Sequence, residues 1–170
     1  MGKKNQKDLL KKVGILSDLD EKERNLIFKI AKKVEVPSGD VIMREGDIGD
    51  SMFLFLEGEV EVSKNLTLKI GKRGFSKAEK SMVKLNAEYV SFFGDMAMFE
   101  NDTRSATITA STDCLLYEIK RDNFERLCKE HPEIGYKVIR KIATVLCQRV
   151  RKGNQDILKL TTALSIALSK

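Results

Sequence analysis

The sequence is short of the residues from which catalytic and metal centres are built. It has one histidine, His131, standing before Pro132 at a helix start, where capping or surface placement is its expected role. Its three cysteines, Cys114, Cys128 and Cys147, are an odd number with no CxxC pair. Their mostly apolar neighbours suggest small buried thiols in a reducing compartment rather than disulfides or metal ligands. Without a second histidine or a carboxylate cluster, neither a nucleophilic triad nor a metal site can be assembled, so no enzyme and no cofactor is expected. No apolar run approaches the ~18 to 20 residues that span a bilayer, and no membrane crossing is expected. The opening MGKKNQKDLLKK lacks an apolar core, which argues against secretion and for a cytoplasmic location. GKRGFSK, Gly71 to Lys77, has glycines and lysines without the spacing of a phosphate loop.

The formal charge of +6 is local. Met1 to Lys12 holds five lysines and one acid, and Lys64 to Lys84 holds seven basic residues against Glu79. Taking these from the 31 basic and 25 acidic residues leaves 19 and 23, so the body is slightly acidic. A basic tail and one basic loop are expected to be solvated surface, with no direct nucleic-acid binding. At 170 residues and 42% hydrophobic, the chain suits one domain with a full core and an appended helical element.

Gln6 to Val13 has the spacing of a short amphipathic helix with Leu9, Leu10 and Val13 inward. In SDLDEKERNLIFKIAKK, Asp20 followed by Glu23 predicts a capping box. Leu26, Ile27, Ile30 and Ala31 then recur at helical spacing, up to a turn at Val36-Pro37-Ser38-Gly39. From Val41 the period changes to two. Val41 to Met43, Ser51 to Leu56 and the alternation at Val60 and Val62 predict strands, separated by the turns EGDIGD and Glu57-Gly58. Asn65 to Lys80 is long, basic and weakly patterned, and is expected to be a mobile hairpin connection. Strand character resumes at Met82 to Leu85, Ser105 to Ala110 and Cys114 to Ile119.

A short helix is expected from Arg121 to Lys129, then a long one opened by Pro132. Its stripe, Val138, Ile142, Leu146, Val150, Gly153, Ile157, Leu160, Leu164, Leu168, is longer than one small β-barrel can cover. The surplus calls for a partner helix, most cheaply its own copy. Gly153 leaves a break into two helices as an alternative.

Chemistry concentrates in FFGDMAMFENDTRSATITA, Phe92 to Ala110. Gly94 lets backbone come close to a ligand, and amides at Met96 and Ala97, exposed at a helical turn, attract anions. Asp95 can accept from a hydroxyl. Arg104 offers a planar fork of donors, and Ser105 adds a hydroxyl and an amide beside it. An anion grip and a hydroxyl grip on one hairpin match a sugar phosphate. An Arg104–Asp95 salt bridge across the turn fits the spacing equally well.

Two stretches resemble a known family. IMREGDIGDSMFLFLEG is similar to the first signature of the cyclic nucleotide-binding domain family, which includes CRP/FNR-like sensor domains: an apolar pair, Gly-Asp, a small residue, four apolar residues, then Gly, departing at Met43. FGDMAMFENDTRSATITA resembles the family's phosphate-binding cassette: Phe-Gly-Glu, apolar-small-apolar, a variable turn, then Arg-small-Ala. LLKKVGILSDLDEKE and YEIKRDNFERLCKEHPEI are similar too, so the resemblance runs from Leu9 to Val150.

The resemblance implies a mainly β fold with flanking helices, an eight-stranded β-roll (a double-stranded β-helix, or jelly roll) with N-terminal helices and a long C-terminal helix. Residues 1–132 would hold the roll, the N-terminal helical element and a short helix. Residues 133–170 would be a long helix or tail for dimerisation or partner docking. The implied function is that of a regulatory module whose ligand is cyclic AMP, or cyclic GMP. By the family pattern Arg104 pairs the cyclic phosphate with the amides of Met96 and Ala97 and with Ser105, while Asp95, after Gly94, holds the ribose 2′-hydroxyl. Val62, Met82 and Leu85 would wall sugar and base, and Arg149 and Val150 would lie over the purine. Ser105 after the arginine resembles the cyclic AMP version; threonine there goes with cyclic GMP.

Two positions depart from the pattern. Asp95 stands where the family has Glu, and a side chain one methylene shorter stops roughly 1.5 Å short. A lost charge-assisted hydrogen bond costs ~1.5 to 3 kcal/mol, about tenfold to a hundredfold in affinity. Val90-Ser91 replaces a usual Gly-Asp. These departures carry the alternative reading, a β-roll without a working nucleotide pocket that acts as a protein–protein interaction module through TTALSIALS. The family's bacterial transcription factors carry a helix-turn-helix after the long helix. About 20 residues follow Val150 here, so none is expected, and output would pass through a homodimer or an unknown partner protein.

Overall fold

Asp20 and Glu23 start the first helix reciprocally: the Glu23 amide donates to Asp20 Oδ1 at 2.8 Å and the Asp20 amide to Glu23 Oε2 at 2.8 Å. The computed structural model describes residues 13–70, 74–100 and 102–169, with the side chains of 66–79 outside that description. Its elements are a 3-10 turn Gly14–Leu16, α1 (Glu21–Ile30), β1 (Ala31–Val36), β2 (Val41–Met43), β3 (Ser51–Glu57), β4 (Glu59–Ile70), β5 (Gly74–Asn86), β6 (Phe92–Phe93), a 3-10 turn Asp95–Met98, β7 (Thr107–Ala110), β8 (Cys114–Lys120), α2 (Arg121–Glu130) and α3 (Pro132–Leu168). The eight strands form two four-stranded antiparallel sheets, ordered β1-β8-β3-β6 and β2-β7-β4-β5. This is the expected β-roll with flanking helices.

Strand β3 explains how one sheet serves two cores. Its side chains alternate across the sheet. Phe53 and Phe55 join Val60, Phe93, Ile108 and Leu116 inside the roll. Met52 and Leu54 face outward, where Leu16, Ile27, Phe124, Leu127, Ile134, Val138 and Ile142 of the helical layer cover them. A near-continuous apolar run is what burial on both faces requires.

Three expectations change. The first helix ends at Ile30, and Ala31–Val36 pairs with β8 from Ala31↔Ile119 to Val36↔Cys114. Half-buried Val34 alternates with exposed Lys33 and Glu35, and that period of two, with β-branched valines, overrides the helical reading. Asn65 to Lys80 is not a connection: β4 and β5 pair from Glu59↔Asn86 to Ile70↔Gly74. Leu66, Leu68 and Ile70 alternate with Thr67 and Lys69, a strand pattern that the lysines obscured. Of the thiols, Cys114 is buried and Cys128 half-buried, and burial pushes both upward in pKa, but Cys147 is exposed on α3. The helix expected at Gln6 to Val13 lies outside the described residues, except for Val13, which is in the core.

Helix α3 runs unbroken through Gly153, where an added Cβ would meet nothing within 4 Å. Gly153→Ala should therefore stabilise the helix by about 1 kcal/mol and raise Tm by roughly 2 to 4 °C. A lower Tm would mean that a second helix packs too tightly on this glycine to admit a methyl group. No helix among the described residues is long and apolar enough to cross a membrane.

Candidate functional site

Two glycines make room for one buried cation. Gly94 has φ 73, the left-handed region, and a Cβ there would lie 2.9 Å from Arg104 Nη1. A Cβ on Gly49 would lie 2.8 Å from Arg104 Nε and 2.9 Å from Ala97 Cβ. Arg104 thus passes between the loop 44–50 and the 3-10 turn Asp95–Met98. Its backbone is fastened on both sides, its amide donating to Asp47 O at 2.7 Å and its carbonyl accepting from the Gly46 amide at 3.0 Å.

The Arg104 side chain is 8% exposed. Nη1 donates to Ser51 O at 2.6 Å and Gly94 O at 3.3 Å, and Nη2 to Ser51 Oγ at 3.1 Å. Ser51 Oγ in turn donates to Glu118 Oε1 at 2.9 Å. No carboxylate among the described residues forms an ion pair with this guanidinium. Burial pushes its pKa below the ordinary arginine value, while Asp50 and Glu118 pull the other way. An arginine stays charged in either case.

Asp95 has a different partner. It is 3% exposed, and Arg149 Nη1, from α3, donates to its Oδ1 at 3.1 Å and Oδ2 at 3.3 Å. Arg149 Nη2 reaches Phe92 O at 3.4 Å, and the guanidinium lies 5.0 Å from the Phe92 ring centre. The salt bridge conceivable between Arg104 and Asp95 is not formed.

A cavity of about 320 Å³ opens beside these groups. Gly94, Asp95, Met96, Ala97, Arg104, Ser105 and Arg149 line its polar side, with Val62, Leu85, Ile108 and Leu146 among its apolar walls. The Ala97 amide is also turned back on Gly94 O at 3.3 Å. Met82 and Val150, expected as wall and cover, are not brought to the cavity. A bulge separates Val62↔Val83 from Ser63↔Ser81 and leaves Met82 unpaired and 63% exposed. Val150 points away from the roll, 62% exposed. A larger depression of about 860 Å³, at Glu57, Glu59 and Glu88, has no basic side chain in its lining among the described residues.

Sequence reasoning missed Ser51, Gly49 and Leu146 as parts of this site. Ser51 is a small residue within the first signature, a signal that could have been followed. The Asp95–Arg149 pair spans 54 residues and left no local trace.

The fold and cavity define a β-roll domain with an arginine held under a small pocket. A family model, Cyclic nucleotide-binding domain, matches residues 33–131. The chain belongs to the cyclic nucleotide-binding domain family. It is 37% identical over 108 residues to a cyclic nucleotide-gated potassium channel of Rhizobium etli, covering 64% of this chain and 26% of the channel. With a cAMP-dependent protein kinase regulatory subunit of Aspergillus niger it shares 34% identity over 118 residues, 69% of this chain and 26% of that subunit. The chain thus spans about a quarter of the length of these relatives. A solved cyclic nucleotide-binding domain from Methylobacillus flagellatus superposes with TM-score 0.75 at 26% identity, covering 91% of this chain and 83% of that one. The regulatory domain of Toxoplasma gondii PKA, solved with cAMP, gives TM-score 0.58 at 26% identity, covering 74% and 46%.

Proposed function

We propose that the chain binds a cyclic nucleotide, cyclic AMP in preference to cyclic GMP, and acts as a regulatory module rather than an enzyme. The observation that carries this reading is the buried Arg104 guanidinium, held among the described residues by carbonyl and hydroxyl oxygens beside a cavity. Desolvating a charge without a counter-ion is costly, and a fixed guanidinium fork is suited to an incoming phosphate. The cavity lies at the small end of ligand-pocket volumes, which suits a compact nucleotide. Ser105 supports cyclic AMP, as do the kinase relatives that carry that ligand in their names.

The route from ligand to output runs through α3. Asp95 is the group expected to meet the ribose hydroxyl, and Arg149 already occupies it, so ligand and helix compete for one carboxylate. The Arg149 side chain is 44% exposed, so solvent screening leaves the pair worth about 1 kcal/mol or less. Arg149→Gln should then tighten cyclic AMP binding roughly threefold to fivefold in a direct titration. Weaker binding would mean that Arg149 touches the ligand instead.

The helix has a second face for a second copy. Ile134, Val138 and Ile142 are buried against the roll. Around the helix from them, Tyr136, Ile139, Ala143, Leu146, Val150, Gly153, Ile157, Leu160, Leu164 and Ala167 repeat in alternating steps of three and four, the seam of a two-stranded coiled coil. Val150 and Ile157 alternate with Leu146 and Leu160, the choice that favours a parallel pair. We therefore assign a homodimer, through which a further protein would be regulated.

Thermal unfolding tests the ligand reading. Cyclic AMP at about 100 times its Kd should add ~2.7 kcal/mol, raising Tm by roughly 5 to 10 °C. No shift with millimolar cyclic AMP or cyclic GMP would overturn it.

A further inference from the structure

Arg121 opens α2, lies outside the cavity and has no role among the site residues expected from the sequence. Its Nε donates to Ala97 O at 2.6 Å, and Nη2 donates to Gly49 O at 2.8 Å and Glu100 O at 3.1 Å. Its backbone amide donates to Asp50 O at 2.8 Å. One planar cation thus collects carbonyls from both segments that enclose Arg104: the loop 44–50 and the turn that starts at Asp95. These two segments also approach closely, since a Cβ on Gly49 would sit 2.9 Å from Ala97 Cβ. A four-residue 3-10 turn has poor internal hydrogen bonds and cannot hold its own geometry. The Ala97 and Glu100 carbonyls at its trailing end bear partial negative charge, which a cation neutralises. A guanidinium suits three acceptors in two directions because its donors form a rigid fork; a lysine ammonium is a point charge on a flexible stem.

We propose that Arg121 is a positioning residue for the anion site: by tying the trailing end of the Asp95–Met98 turn to the loop at Gly49, it fixes the slot in which Arg104 meets a phosphate. It does so from behind, without touching the ligand. The site is then pre-organised before ligand arrives, and α2 is bonded directly to the ligand-binding turn. The affinity part of the test rests on the function proposed above; the geometric part stands without it.

The test is Arg121→Lys in the full chain, read first by hydrogen exchange without ligand. The amides of Phe99 and Glu100, which donate to Met96 O at 3.0 Å each, and that of Ala97 should exchange at least tenfold faster. Amides of β3 should keep their rates. The second reading is affinity for cyclic AMP and for its two phosphorothioate diastereomers, which differ only in which exocyclic phosphate oxygen is sulfur. Cyclic AMP should bind about tenfold more weakly, chiefly by faster dissociation, and the preference between diastereomers should narrow. Unchanged exchange in the turn overturns the proposal. Equal acceleration in β3, or weaker binding with an unaltered diastereomer ratio, does so too, since general destabilisation would produce either. If the unaltered chain binds no cyclic nucleotide, the ligand reading falls and the exchange rates alone decide the role of Arg121.

Discussion

Arg104→Ala is expected to weaken cyclic AMP binding about a thousandfold while moving Tm by no more than about 3 °C. The two effects separate because of how the guanidinium is held. Its acceptors among the described residues are Ser51 O, Gly94 O and Ser51 Oγ, all neutral, so folding must desolvate a charge that none of their carboxylates pairs. Removing the side chain forfeits those hydrogen bonds but also removes that penalty, and the two nearly offset. Ser51 Oγ keeps its bond to Glu118 at 2.9 Å. A ligand phosphate, by contrast, loses a bidentate charge-assisted contact to a buried guanidinium, worth ~4 kcal/mol. Calorimetry and thermal unfolding on one preparation read both numbers. Affinity within tenfold of the unaltered chain would place the anion elsewhere.

Ending the chain after Asp156 should convert a dimer into a monomer, halving the mass measured by light scattering at about 50 μM. The segment removed carries Ile157, Leu160 and Leu164 of the seam, which are 60%, 70% and 59% exposed in the single chain. Burying all three on both copies gains roughly 6 to 12 kcal/mol, against an association cost of at least ~4 kcal/mol, so this segment supplies at most a dimer of about micromolar strength. What remains up to Asp156 includes Gly153, which offers no knob at its seam position. The roll should survive the cut, because its helical contacts, Ile134, Val138 and Ile142, all precede it. An unchanged mass would move the interface to another surface.

How much of this could be read beforehand depended on how local the signal was. The capping box at Asp20 and Glu23, the turn at Gly58 and the doubly buried run of β3 each follow from a few adjacent residues. The cassette was legible because Gly94, Asp95, Arg104 and Ser105 lie within one hairpin. Two misreadings were contests between periods. At Ala31–Val36 a helix prediction overran a strand whose pairing partner, from Ala31↔Ile119 to Val36↔Cys114, lies about 80 residues away. In the β4–β5 hairpin lysines masked an alternation that the paired strands fulfil. The site's remaining parts are non-local. Arg149 reaches Asp95 across 54 residues, Arg121 reaches Gly49 across 72, and a bulge turns Met82 out of a wall that its spacing assigned it to. None of these leaves a pattern in any short window.

Calorimetric titration of the full chain with cyclic AMP, cyclic GMP and 5′-AMP at one salt concentration, beside the Arg104→Ala variant, decides whether the cavity at Arg104 is a cyclic nucleotide site. One site per chain is expected, micromolar or tighter for cyclic AMP, weaker for cyclic GMP, with no measurable heat in the variant. No heat with any of the three, or equal heat from the unaltered chain and the variant, would contradict it.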